Sequence, residues 1–255
     1  MALSVTSGAK PEVVFTRAVA KPPSKLNLTI DGPEKTWKSH TSLTAPGPIA
    51  YHSFENGLHR VIDKFPDKEI YSFEYSFPAT LKLPGTELAG LSDASTKVWT
   101  EFVTNLRASV ERCRSIVIDT GTKAWDLLRI ARLGKLTQVM PIQYTAVNQE
   151  FNELVQVLHR SPANIIWLHR VKPVYENDKK TGEVVRAGYG DMAFEVDAVI
   201  RMLPVESKNP AEQVQVRFGA CGSNRKLSGS VLEGEPTFAT IATAIYPSTN
   251  EENWK

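Results

Sequence analysis

Eight residues, Gly32-Pro33-Glu34-Lys35-Thr36-Trp37-Lys38-Ser39, follow a short apolar segment and open a helical one. They fit the pattern G-x-x-x-x-G-K-[ST], except that Trp37 stands where the second glycine belongs. In such a loop, backbone N–H groups and a helix N-terminus cradle phosphates. Gly32, Pro33, Glu34, Lys35, Thr36 and Trp37 would form the cradle, with His40 just beyond it. Lys38 would neutralise the β- and γ-phosphates, and the Ser39 hydroxyl would bind Mg²⁺. Glycine at the second conserved position allows close backbone approach. Tryptophan fits there only if its torsions are ordinary and its ring turns away from the nucleotide. The competing reading is a plain strand-turn-helix junction with a chance Lys-Ser pair.

Three further residues stand where such chemistry needs partners. Asp119 ends the apolar run Ile116-Val117-Ile118, the place of an acid that orders Mg²⁺ at the carboxyl edge of a parallel sheet. It is equally placed to cap the helix that follows. Glu55 ends Ser53-Phe54-Glu55 and would share that sheet edge, where a carboxylate can orient and deprotonate water. Before Gly57 it also reads as an exposed turn residue. His169 ends Ile165-Ile166-Trp167-Leu168, where a polar group can sense the γ-phosphate and relay its state onward, or simply hydrogen-bond at a strand end. His40, His52 and His59 show no metal-ligand spacing.

The elements that must position these groups alternate. Strands are expected at Leu26–Ile30, Ile49–Phe54, Glu69–Phe77, Ser115–Asp119 and Asn164–His169. Helices are expected at Lys38–Leu43, Thr96–Cys113, Trp125–Arg132 and Val147–His159. The last third turns to hairpin-like pieces. Val171–Tyr175 and Val184–Arg186 flank a turn over residues 176–182, Val196–Leu203 and Val214–Phe218 are strands, and Phe238–Ile245 closes the chain as a helix. The pattern implies an α/β fold: a mostly parallel sheet with helices on both faces and a β-hairpin-rich C-terminal extension. Residues 1–24, broken by Gly8, Pro11 and Lys21-Pro22-Pro23, read as an arm that is flexible or docks on a neighbouring subunit; residues 25–247 form the domain and 248–255 a tail.

Composition narrows the class. At 255 residues with 42% apolar content, the chain can bury a core. Thirty basic against 28 acidic residues leave a net charge of +2, so nucleic-acid binding must come from local patches. Two distant cysteines without a CxxC argue against a disulfide framework or a zinc site. No apolar run approaches the ~20 residues of a membrane span, and no secretory leader is legible. The expectation is a cytoplasmic protein.

Taken together, Gly32–Ser39, Thr44-Ala45-Pro46-Gly47-Pro48-Ile49-Ala50, Ser115–Thr120, Asn148–Leu154 and the stretch from Tyr189-Gly190 to Asp197–Arg201 resemble the RecA-like P-loop ATPases of bacteriophages. These are AAA-family nucleotide-binding proteins, some of which act in single-strand annealing or recombination. The resemblance runs from about Leu26 to Arg201. It implies ATP and Mg²⁺ as cofactors, Glu55 as the catalytic glutamate, Asp119 and Ser39 at the metal, and His169 at a γ-phosphate sensor position where RecA has glutamine. Some relatives carry an aromatic in place of the second loop glycine. The family also implies self-assembly into a ring or filament, partnership with a single-stranded-DNA-binding protein, and action in the bacterial host cytoplasm during phage infection.

Two DNA-binding loops are implied after the acid-bearing strand's helix and after the sensor strand. The first slot holds Arg132, Lys135, Gln138 and Tyr144; the second holds Lys172, Tyr175, Lys179, Lys180, Arg186 and Tyr189. Cations for phosphates and rings for bases suit single-stranded DNA, while a solvated hairpin tip explains the same charges. Ser223-Asn224-Arg225-Lys226 is a further basic turn, a candidate arginine finger. The functional expectation is an ATP-binding, ATP-hydrolysing protein acting on single-stranded DNA in recombination, annealing or replication. The alternative, motivated by Trp37, is a non-hydrolysing module that binds DNA or protein. A small-molecule phosphotransferase would need an acceptor pocket and a lid, and the sequence shows neither.

Overall fold

The computed structural model describes residues 23–78, 88–134, 139–206, 214–232 and 235–255. Residues 1–22 of the expected arm, Lys135 and Gln138 lie outside these. Eight strands form one sheet in the order β10-β9-β8-β1-β5-β4-β2-β3. Here β1 is Asn27–Asp31, β2 Ile49–Ser53, β3 Ile70–Glu74, β4 Ser115–Asp119, β5 Asn164–His169, β8 Ala198–Pro204, β9 Val214–Cys221 and β10 Val231–Leu232. From β8 to β3 every pairing is parallel; β9 and β10 add antiparallel.

The four central strands β1, β5, β4 and β2 are buried at every residue. That is why β4 and β5 read as near-continuous apolar runs, whereas β1 buries Asn27, Thr29 and Asp31 between its apolar residues. Helices cover both faces, as expected. On one face, Trp99, Phe102 and Leu106 of α2 (Leu88–Arg112), Leu127 and Leu128 of α3 (Gly121–Leu133), and Phe151 and Val155 of α4 (Tyr144–Arg160) pack on Ile116, Ile118, Ile165 and Trp167. On the other, Leu43 of α1 (Lys38–Leu43) and Phe238, Ile241 and Ile245 of α6 (Phe238–Ile245) pack on Leu28, Ile30, Val117 and Ile166. Trp254 is also buried here, its ring against Phe238 and Tyr246, so the expected tail packs on the domain.

Two expectations change. The turn read over residues 176–182 is far tighter: β6 (Val171–Glu176) and β7 (Lys179–Arg186) meet at Asn177-Asp178, both at positive φ (50° and 61°). Two such residues make the type I′ turn that matches strand twist. The hairpin forms its own two-stranded sheet. The segment Met192–Glu195, not anticipated as helix, forms the short α5 before β8.

Candidate functional site

The topology inserts β5 between the loop-bearing β1 and the acid-bearing β4, so the carboxyl ends of β1, β5, β4 and β2 form one edge. In register, Asp31 faces His169, and Ser53 faces Asp119. Every candidate of the phosphate chemistry therefore falls along this edge, where open α/β sheets hold ligands.

The loop turns as a phosphate loop must. A side chain on Gly32 would meet the Met202 carbonyl at 2.4 Å, so only glycine fits. Lys35 and Trp37 sit at φ 59° and 63°. The requirement that Trp37 keep ordinary torsions is thus overturned: it adopts the left-handed conformation a glycine would take, at about 1–2 kcal/mol for an L-residue. Its ring leans on His40 at 5.1 Å, and His40 in turn on Phe65 at 5.0 Å. His40 is half-buried, and desolvation lowers its pKa, keeping it neutral near pH 7. The N–H groups of Lys35, Thr36 and Trp37 carry no hydrogen bond among the described residues.

Lys38 Nζ donates to the Gly32 carbonyl at 2.9 Å and to the Pro33 carbonyl, and sits within reach of Thr36 Oγ1. Thr36 Oγ1 also donates to the Pro33 carbonyl. The ammonium thus closes on its own loop. Burial lowers its pKa, opposed by Asp119, Glu55, Asp31 and Glu34.

Ser39 Oγ donates to Asp119 Oδ2 at 3.3 Å. Asp119 is buried, which raises its pKa; hydrogen bonds from Tyr51 and Ser39 and the Lys38 charge oppose the rise. The helix-cap role falls to Thr120, whose side chain accepts from the Lys123 N–H. Asp119 is therefore free of capping and faces the loop. A hydroxyl and a carboxylate oxygen are the hard donors Mg²⁺ prefers, so this pair fits that ion. No cluster of three or more His, Cys, Asp or Glu among the described residues could hold a metal by itself.

Glu55 is not a free turn residue. Its Oε1 accepts from Thr120 Oγ1 at 2.9 Å and from Arg170 Nε at 2.7 Å. Arg170, which the sequence reading passed over, leads into the hairpin: the Ala187 N–H donates to its carbonyl at 2.8 Å, and its own N–H to Thr122 Oγ1 at 3.1 Å. Thr122 in turn donates to the Ala187 carbonyl at 2.9 Å.

His169 is fully buried. Its ring fills the space above Gly121, where a Cβ would lie 2.7 Å from Cε1, and its Nδ1 donates to the Ala187 carbonyl at 3.2 Å. Burial, aided by the charge of Arg186, pushes its pKa down to about 3. Direct contact with a phosphate is therefore not available to His169. It touches the hairpin base, and the adjacent Arg170 is the side chain that reaches the edge.

The proposed DNA contacts divide. Lys172, Tyr175, Lys179 and Lys180 are exposed on the hairpin, with Tyr175 paired across to Lys180. Arg186 instead donates to the Tyr189 and Gly190 carbonyls, and Tyr189 is buried against Trp125 and Phe151. Arg132 pairs with Glu150 through two bonds of 2.7 and 2.8 Å, and Tyr144 accepts from Arg129 at 2.6 Å. Arg132 and Tyr144 thus tie α3 to α4, the Arg132–Glu150 pair lying at the surface, while Arg186 and Tyr189 hold the end of the hairpin to the domain. A further missed pair lies beside the loop: Arg201 holds the buried Asp31 at 2.6 and 3.2 Å and donates to the Val184 carbonyl of the hairpin at 2.9 Å. Strand-end position was the only sequence signal for Arg170, and the Asp31 pairing joins residues 170 positions apart.

A profile of the AAA domain family matches residues 24–215. No curated protein matches. Among solved structures, one titled as the crystal structure of the RadB recombinase superposes with a TM-score of 0.45 at 11% identity, over 82% of this chain and 86% of that one. No helix among the described residues is long and apolar enough to cross a membrane.

Proposed function

Because the chain belongs to the AAA domain family, we propose that it binds and hydrolyses ATP, in RecA-like fashion, while acting on single-stranded DNA in recombination, annealing or replication. One observation carries this reading: Lys38, Ser39, Asp119 and Glu55, from three separate segments, converge on one sheet edge, with Ser39 and Asp119 in hydrogen-bond contact. Phosphoryl transfer asks mainly for positioning and charge neutralisation, and these residues supply both.

The loop N–H groups bind phosphate oxygens, and Lys38 leaves the carbonyls of Gly32 and Pro33 to neutralise charge. Ser39 and Asp119 would hold Mg²⁺, which when bound would offset phosphate charge. Glu55 orients water and takes its proton. The hairpin offers Lys172, Lys179 and Lys180 to DNA phosphates and Tyr175 to a base. Its base is tied to Glu55 through Arg170. Self-assembly, a single-stranded-DNA-binding partner and a place in the phage-infected host cytoplasm belong to the same reading.

The test is equilibrium binding of a fluorescent ATP analogue with Mg²⁺. Binding by the wild type and its loss in Lys38→Ala and Ser39→Ala support the reading; equal binding by all three overturns the loop assignment. The strained Trp37 and the closed Lys38 favour a second reading, a protein that binds nucleotide or DNA without turnover.

A further inference from the structure

We propose that Tyr51 is a positioning residue for the metal-binding carboxylate, one that sets how readily Mg²⁺ is held at Asp119. The inference rests on the assignment of Ser39 and Asp119 to that ion. Tyr51 lies on β2, opposite Val117 of β4, and none of its surface is exposed. Its ring belongs to the apolar cluster shared with Leu43 and Val117. A phenylalanine would fill that space equally well. The hydroxyl is the exception: a buried phenol O–H is costly without a partner, and this one donates to Asp119 Oδ2.

The consequence for Asp119 is geometric. Oδ2 accepts from two hydroxyls on different elements, Tyr51 on β2 and Ser39 on α1. The carboxylate is thereby fixed in orientation before any metal arrives. The Tyr51 ring is locked by the core, so its hydroxyl cannot follow a rotating carboxylate. A metal site gains affinity when outer groups orient its ligands, and removal of such a group typically lowers metal affinity about 10–100-fold. Ser39 is placed as a direct ligand; Tyr51 acts only through Asp119.

The experiment is a Mg²⁺ titration of fluorescent-ADP binding to wild type, Tyr51→Phe and Tyr51→Met, with folding checked by circular dichroism. Both variants keep an apolar fill, so if one fails to fold the other carries the test. The half-saturating Mg²⁺ concentration should rise about tenfold or more, while nucleotide affinity in EDTA stays unchanged. A purely structural role would move the EDTA affinity or the melting temperature and leave the Mg²⁺ midpoint in place. Wild type that binds nucleotide with no Mg²⁺ dependence would overturn the metal assignment itself. Wild type with such dependence, matched by a folded Tyr51 variant with the same midpoint, would overturn this inference alone.

Discussion

Arg170 Nε sits 2.7 Å from Glu55 Oε1, joining the residue that leads into the β6–β7 hairpin to the carboxylate proposed to activate water. The pair is partly exposed, with side-chain exposures of 51% and 25%. Pairs of that kind contribute about 0–1 kcal/mol. A phosphate arriving near Arg170, or a shift of the hairpin on DNA, is enough to break it. Arg170→Ala should therefore raise DNA-free ATP turnover several-fold and reduce the further stimulation by DNA. Steady-state hydrolysis with and without single-stranded DNA checks this; an unchanged stimulation ratio contradicts it.

The hairpin assignment separates residues that face solvent from residues that pack. Lys172→Ala, Lys179→Ala and Lys180→Ala should each weaken single-stranded DNA binding and flatten its salt dependence by about 0.7 per lost phosphate contact. Tyr175→Ala should cost about 1–3 kcal/mol of DNA binding. Arg132→Ala, which breaks the bond to Glu150, should leave DNA affinity alone and lower stability by about 1 kcal/mol. Fluorescence anisotropy across a salt series measures the first two effects and a urea melt the third. Equal loss of DNA binding in Arg132→Ala would return that residue to the DNA surface.

Trp37 offers a test of adaptation. Glycine would relieve about 1–2 kcal/mol of left-handed strain but remove the ring contact to His40, about 0.5–1.5 kcal/mol for an aromatic pair. These nearly cancel, so Trp37→Gly should unfold within about 1 kcal/mol of wild type and turn over ATP within about twofold. A large gain in turnover would instead mark the native loop as degenerate.

The buried histidines predict acid sensitivity. Burial drives His169 and His52 down to about 3 from the ordinary 6.5. Between those values the unfolded chain takes up protons that the folded one refuses. Stability is full above about pH 6.5 and falls as pH drops toward 3. Urea midpoints should decline steadily from pH 7 to pH 4.5. A flat profile would mean these rings are protonated in the fold.

Much of the fold was legible because its signals are local. The runs at Ser115–Asp119 and Asn164–His169 are buried on both faces, and such strands announce themselves. The loop and its two carboxylates were legible through position, since strand ends share an edge once the sheet is parallel. What escaped depends on distance in sequence or on torsion. Glu55 and Arg170 are 115 positions apart. Tyr51 reads as one more apolar strand residue until β4 lies beside it. Arg132 and Arg186 carry the same charge as Lys179, and only the folded chain shows that Glu150 and the Tyr189 and Gly190 carbonyls engage the two arginines. The left-handed Trp37 runs against the preference of its residue type, so no propensity argument finds it.

The most direct measurement is ATP hydrolysis in Mg²⁺, with and without single-stranded DNA, for wild type and Lys38→Ala. The account predicts turnover in the wild type, stimulation by DNA, and loss of both in the variant. Hydrolysis that survives Lys38→Ala, or a wild type that binds DNA but never turns over ATP, would contradict it.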